Sequence, residues 1–92
     1  MAKLLIVDDE MHIRDLVQKY ATFENYESET AENGLEAIEK VKRNEYDLVI
    51  MDIMMPELDG FSAVKEIRKI SQVPVIMLSA RSEEYDKLYG FD

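Results

Sequence analysis

Three aspartates and one serine stand where short apolar runs of the sequence end. Asp8 and Asp9 follow the first run, Asp52 follows the second and Ser79 follows the third. Carboxylate oxygens suit Mg²⁺, which accepts one or two carboxylates and keeps positions for water and phosphate oxygens. If the fold brings these side chains together, they indicate a magnesium site that supports phosphoryl chemistry.

The runs that precede these side chains are typical of buried strands. Residues 4–7, 48–51 and 73–78 are apolar throughout, as expected where helices cover both faces of a parallel sheet. Residues 26–31 alternate charged and β-tolerant side chains, which suits an edge strand that is protected from unwanted pairing. We therefore predict four strands.

Segments with helical periodicity separate these strands. Asn33, with Glu36 three residues later, and Asp59 can cap the second and third helices, and a fourth helix begins near Ser82. The apolar positions of these helices are Ile13, Leu16, Val17 and Tyr20 in the first, Leu35, Ile38 and Val41 in the second, Phe61, Val64, Ile67 and Ile70 in the third, and Tyr85, Leu88 and Tyr89 in the fourth.

The order βαβαβαβα predicts an α/β fold with a doubly wound parallel sheet. All parallel strands end at the same edge, so Asp8, Asp9, Asp52 and Ser79 are expected to emerge together. At separations of about 5 Å and an effective dielectric near 20, each pair of carboxylates repels by roughly 3 kcal/mol. A bound cation relieves this repulsion, so the acids favour a metal site over a structural cluster.

Length and composition exclude several classes of protein. Ninety-two residues predict one domain, residues 1–92. Twenty acidic against eleven basic residues give a net charge of -9, which opposes direct nucleic acid binding. The longest apolar run has six residues, against roughly 20 for a membrane span, and the N-terminus lacks a secretory signal, so we expect a cytoplasmic protein. The sequence has no cysteine, which excludes disulfides and thiolate chemistry.

The spaced motifs closely resemble the receiver domain of two-component response regulators. They are the paired Asp8-Asp9, Asp52 followed by MMPELDG at residues 54–60, and LSAR at residues 78–81, and the resemblance extends over residues 3–92. Regulators with a C-terminal winged-helix DNA-binding domain are the most similar. The resemblance implies a flavodoxin-like sheet of order 2-1-3-4, with the fifth βα unit of the family missing.

The resemblance also implies roles for individual residues. Asp52 is similar to the phosphoacceptor, which takes a phosphoryl group from a histidine kinase and also contacts the metal. Asp9 resembles the direct ligand of Mg²⁺ or Mn²⁺, Asp8 a ligand that acts through water, and Met54 the residue whose backbone carbonyl completes the set. Ser79 resembles the switch hydroxyl.

Met54 and Arg81 match positions that tune the lifetime of the phosphoryl group in the family. The implied activity is Mg²⁺-dependent self-phosphorylation and self-dephosphorylation, so the chain is not expected to be an enzyme acting on other molecules. The implied output is control of transcription through a downstream DNA-binding domain, which this sequence does not contain.

Three alternatives to a phosphoacceptor exist on this architecture. Aspartyl-phosphate hydrolases also use a strand-end aspartate with Mg²⁺, but they carry Asp-x-Asp at the nucleophile, and the second position here is Met54. A flavin site on this architecture would need a glycine-rich loop where Asp8 and Asp9 would repel the phosphate. The remaining alternative is a truncated receiver fragment or building block that is impaired in signalling.

The missing fifth unit leads to an expectation about assembly. Without a fifth strand, residues 73–78 would present an open, apolar edge on which Pro74 is the one residue that hinders pairing. We therefore expect a homo-oligomer, or completion by a complementing segment, at the fourth strand.

Overall fold

The computed structural model describes residues 1–78, in which four strands alternate with three helices. The elements are β1 Lys3–Val7, α1 Met11–Phe23, β2 Glu27–Ala31, α2 Gly34–Arg43, β3 Leu48–Asp52, α3 Gly60–Arg68 and β4 Val75–Leu78. The predicted fourth helix from Ser82, and with it Ser79 and Arg81, lies outside the described residues. None of α1, α2 and α3 has the length and apolarity that a membrane crossing requires.

The four strands form one parallel sheet in the order β2-β1-β3-β4, which confirms the predicted topology. Val7 pairs with Ala31 of β2 on one side and with Met51 of β3 on the other, and Asp52 pairs with Leu78 of β4. The carboxyl ends of β1, β3 and β4 are therefore neighbours in space, as the strand-end side chains require.

Alternating side chains direct the two faces of the sheet to different helices. Leu5, Val7, Val49 and Met51 are fully buried against the side of the sheet that α2 and α3 cover. Ile6 and Ile50 point to the other face, where they line a cavity of about 190 Å³ together with residues of α1. The sheet is thus covered on both faces, as the continuous apolar runs predicted.

The predicted inward faces of α2 and α3 are confirmed in part, since Val41 and Ile67 are buried and Ile38 and Val64 pack against the core. Two large side chains predicted to face inward are exposed, and small ones are buried in these helices instead. Leu35 and Phe61 are 55% and 51% exposed, whereas Ala37 and Ala63 are fully buried. The reason is the close approach of the two helices, since a Cβ on Gly34 would lie 3.0 Å from the Cβ of Ala63. Ile70 was also placed wrongly, because α3 ends at Arg68 and Ile70 is exposed.

Helix α1 is rotated relative to the prediction. Ala21 is buried and Ile13 and Val17 are partly buried, whereas Leu16 and Tyr20 are exposed. The periodicity of α1 is satisfied by either face, and the small side chain of Ala21 allows the helix to lie close to the sheet. The side of α1 that faces the sheet is therefore set by how the helix packs, more than by the hydrophobicity of its individual residues.

The predicted helix caps are confirmed. The carboxamide oxygen of Asn33 accepts a hydrogen bond from the Glu36 backbone N–H at 2.8 Å, and the Asp59 carboxylate accepts one from the Ser62 N–H at 3.0 Å. Immediately after Asp59, the Gly60 N–H donates to the Ile53 carbonyl, and a Cβ on Gly60 would lie 2.4 Å from the Asp52 carbonyl oxygen. Glycine is therefore required where α3 begins against the end of β3.

Candidate metal centre

Asp8, Asp9 and Asp52 meet at the carboxyl edge of the sheet. One carboxylate oxygen from each residue lies within 4.8 Å of the corresponding oxygens of the other two. Asp8 and Asp52 are both 6% exposed, whereas Asp9 is open to solvent. The fold thus brings together the three acids that were expected to share a site.

The position of Asp8 is fixed by three hydrogen bonds. Its N–H donates to the carbonyl of Ala31 at 3.1 Å, which ties the end of β1 to β2. Its carboxylate accepts a bond from the Glu10 N–H at 2.9 Å, and its backbone carbonyl accepts one from the guanidinium of Arg14 at 2.8 Å. The sequence analysis did not identify Arg14, although a basic residue in the first turn of a helix opposes the helix dipole and is for that reason a signal.

Asp52 is the last residue of β3, and it lines the inner cavity of about 190 Å³ together with Asp8. Its Oδ1 accepts a hydrogen bond from the Met54 N–H at 3.3 Å. Asp9, Met54, Met55, Pro56 and Asp59, with Ile53, line a cleft of about 460 Å³. One oxygen of Asp52 is therefore oriented by the backbone of the following loop, and that loop lines the cleft together with Asp9.

The end of β4 lies against the same site. Leu78 pairs with Asp52, and the Leu78 carbonyl accepts a hydrogen bond from the Ile53 N–H at 3.0 Å. Ser79, the predicted switch residue, follows directly in the sequence but lies outside the described residues, as does Arg81.

Burial and mutual repulsion raise the pKa values of two of the three acids. The pKa of Asp52 rises to about 6, chiefly because burial disfavours the charged carboxylate and also because Asp8 and Asp9 are close. Burial likewise raises the pKa of Asp8, and the hydrogen bond from Glu10 partly opposes this. Three oxygen donors, two of them buried and destabilised by one another, fit a hard divalent cation such as Mg²⁺.

The raised pKa of Asp52 predicts a pH-dependent instability of the metal-free protein. The folded-state pKa of about 6 exceeds the ordinary aspartate value of 3.8, so ionisation of Asp52 opposes folding. The stability that the neutral Asp52 carboxyl contributes is fully present below the unfolded-state pKa of this group, and it is lost as the pH rises through about 6. In the presence of a chelator, we expect Asp52→Asn to raise the free energy of unfolding by on the order of 2 kcal/mol at neutral pH and by little near pH 4.

Urea unfolding at a series of pH values measures this difference. Asp15→Asn, which replaces an exposed acid on α1 outside the three-aspartate cluster, is the matched control, and at neutral pH it should change the free energy of unfolding by less than Asp52→Asn does. A difference between Asp52→Asn and the unmodified chain that stays constant with pH would contradict the electrostatic explanation.

Comparison with known proteins identifies relatives that cover the site. Residues 4–92 match the model of the response regulator receiver domain. A transcriptional regulatory protein of Haemophilus influenzae, described as a CpxR homolog, is 47% identical over 92 residues, which are 100% of this chain and 40% of that protein. The chain thus spans less than half the length of this relative.

Solved structures share both the fold and the site region. The response regulator TrrA of Thermotoga maritima, in complex with Mg²⁺-BeF, has a TM-score of 0.84 and 42% identity over 99% of this chain and 80% of its own. A complex of the histidine kinase ThkA with TrrA has a TM-score of 0.81 and 46% identity, covering 87% of this chain and 70% of that one. The parallel sheet, the three acids at its carboxyl edge and these relatives agree, and the chain belongs to the response regulator receiver domain family.

Proposed function

We propose that this chain is a phosphoacceptor that receives a phosphoryl group on Asp52 from a phosphohistidine of a partner kinase. The observation that carries the proposal is the position of Asp52, a buried carboxylate at the end of β3 whose oxygens lie within 4.8 Å of those of Asp8 and Asp9, directly before a loop that lines an open cleft with Asp9. The similarity to TrrA, which was solved with Mg²⁺-BeF and with a histidine kinase, supports the same assignment.

The proposed transfer is a displacement at phosphorus. A carboxylate oxygen of Asp52 forms a bond to phosphorus while the bond to the histidine nitrogen breaks, and the nitrogen keeps the electron pair of that bond. Bound Mg²⁺ supplies positive charge that neutralises the oxygens of the transferring group. With a pKa of about 6, Asp52 is largely ionised at neutral pH and is therefore competent as a nucleophile.

The surrounding residues position the reacting groups. Asp9 is proposed as the direct metal ligand and Asp8 as a ligand through water, with the Met54 carbonyl completing the set. The Met54 N–H holds Oδ1 of Asp52, which leaves the other oxygen for attack. Ser79 is proposed as the switch hydroxyl, and Met54 and Arg81 as the residues that tune the lifetime of the phosphoryl group.

The proposed context is a cytoplasmic signalling pathway that ends in transcription. The similar curated proteins are transcriptional regulators, and this chain spans 40% or less of their length. We propose that an output domain in the parent protein contacts DNA and that this acidic chain itself does not. Its own reactions are self-phosphorylation and self-dephosphorylation.

The edge of β4 is the second feature with a functional consequence. Within residues 1–78, β4 pairs with β3 alone, and its side chains Ile76 and Leu78 are about half exposed. A strand that has one unpaired edge and apolar side chains is a template for pairing with another chain. We propose that a second copy or a complementing segment occupies this edge.

A covalent adduct on Asp52 is the direct test of the phosphoacceptor role. We expect incubation with Mg²⁺ and a small phosphodonor such as acetyl phosphate to add one phosphoryl group per chain, detected by intact mass. Asp52→Asn should abolish the adduct because an amide is a poor nucleophile, and Asp59→Asn, on the rim of the cleft, should retain it.

The other outcomes separate the alternative functions. Turnover of the donor without an adduct would favour a hydrolase, and an adduct that maps to another residue would contradict the assignment of Asp52. The absence of any reaction would favour an inactive fragment.

The β4 edge predicts association of the isolated chain. We expect light scattering to detect a dimer or a larger species at micromolar concentration, and amide exchange at Val75–Leu78 to slow as the concentration rises. Ile76→Lys, which places a charge on an exposed position of this strand, should weaken association. A monomer in which these amides are already well protected would show that the edge needs no partner.

A further inference from the structure

Arg14 occupies an unfavourable position for a cation. It lies in the first turn of α1, where the helix dipole is positive, and its side chain is only 11% exposed. Burying a guanidinium also requires compensating hydrogen bonds. A residue that opposes both local preferences must make contacts that offset them.

The buried contact of Arg14 is with the metal centre. Its Nη1 donates a hydrogen bond of 2.8 Å to the backbone carbonyl of Asp8. That carbonyl belongs to the peptide group that joins Asp8 to Asp9. Because a peptide group is planar, a fixed carbonyl also fixes the direction in which the chain enters Asp9. Through this bond Arg14 contacts the backbone and not a carboxylate, and it orients the peptide group from which the side chains of Asp8 and Asp9 project.

The second contact of Arg14, an ion pair with Glu32, holds the guanidinium in place less strongly than the first. Its Nη2 lies 3.6 Å from Oε1 of Glu32, which follows β2 and whose side chain is 68% exposed. Ion pairs this open to solvent contribute little. The geometry consequently assigns the main effect of Arg14 to the Asp8 carbonyl, with Glu32 as an outer support.

We propose that Arg14 is a positioning residue of the metal centre, which holds the Asp8–Asp9 peptide so that both carboxylates stay directed toward Asp52. This inference rests on the proposed function, because the proposed function is what assigns a Mg²⁺ ion to the three aspartates. Groups that orient metal ligands from outside the ligand shell typically affect affinity about 10–100-fold when they are removed. We expect an effect at the lower end of this range.

Arg14→Met tests the role because it removes the donors and keeps an unbranched stem. We expect Mg²⁺ to bind about tenfold more weakly, measured by NMR titration of the full chain. The rate of phosphorylation should recover when Mg²⁺ is raised to saturation, because the defect is one of metal affinity. In the metal-free protein, the amide resonances of Asp9 and Glu10 should also shift, which reports the peptide orientation without any metal.

Matched variants separate positioning from folding. Gln18→Ala removes a different contact of α1, the 3.2 Å hydrogen bond from Gln18 Nε2 to Ser28 Oγ on β2. This variant should bind Mg²⁺ with an affinity within about twofold of that of the unmodified chain. Arg14→Lys keeps the charge with a single donor group and should give an intermediate affinity, which decides the question if Arg14→Met does not fold.

The outcomes distinguish this inference from the proposed function. If the unmodified chain bound no Mg²⁺, the proposed function would be contradicted and the role of Arg14 with it. If the unmodified chain bound Mg²⁺ and accepted a phosphoryl group, but Arg14→Met and Arg14→Lys bound Mg²⁺ equally well, only the role of Arg14 would be overturned. Equal weakening by Gln18→Ala would likewise reduce Arg14 to a general support of the fold.

Discussion

Repulsion among three carboxylates is the constraint on which the carboxyl edge of this sheet depends. Asp8, Asp9 and Asp52 are brought within 4.8 Å of one another by the ends of two adjacent central strands. Water does little to screen Asp8 and Asp52, because both are buried, and the pKa of Asp52 rises to about 6. A site of this kind stores unfavourable electrostatic energy that a divalent cation can release, so cation binding and folding are coupled.

The neighbouring backbone keeps the acids in place despite this repulsion. N–H groups of Glu10 and Met54 each donate to one of the buried carboxylates, and Arg14 holds the Asp8 carbonyl. Next to Asp52, Gly60 lets the start of α3 lie directly against the end of β3. The site is therefore built from strand ends, the two loops that follow them and the first turns of two helices.

Residues that follow a buried strand could be placed from the sequence, because a parallel sheet sends all its strand ends to one edge. This rule placed Asp8 and Asp52 together, and the capping residues Asn33 and Asp59 were recognised by their side-chain chemistry. Helix faces could not be read in the same way. Leu35 is more hydrophobic than Ala37, yet Ala37 is buried, because close packing of α2 against α3 requires small side chains.

Arg14 escaped the sequence analysis for a related reason. Its contact with Asp8 spans six residues and depends on the rotation of α1, which the apolar periodicity leaves undetermined. Hydrophobic spacing specifies that a helix packs on the sheet, but the polar contact at its first turn is specific to one rotation. The acidic side chains at the strand ends were consequently easier to locate than Arg14, which lies on a helix.

The ionisation of Asp52 is the measurement that tests this account most directly. A ¹³C NMR titration of the Asp52 carboxyl carbon in the metal-free chain should show an inflection near pH 6, with the resonance assigned through Asp52→Asn. Saturating Mg²⁺ should move the inflection to lower pH, because the cation favours the charged carboxylate. An inflection near the ordinary aspartate pKa of 3.8 without metal, or one that Mg²⁺ leaves unchanged, would contradict the account.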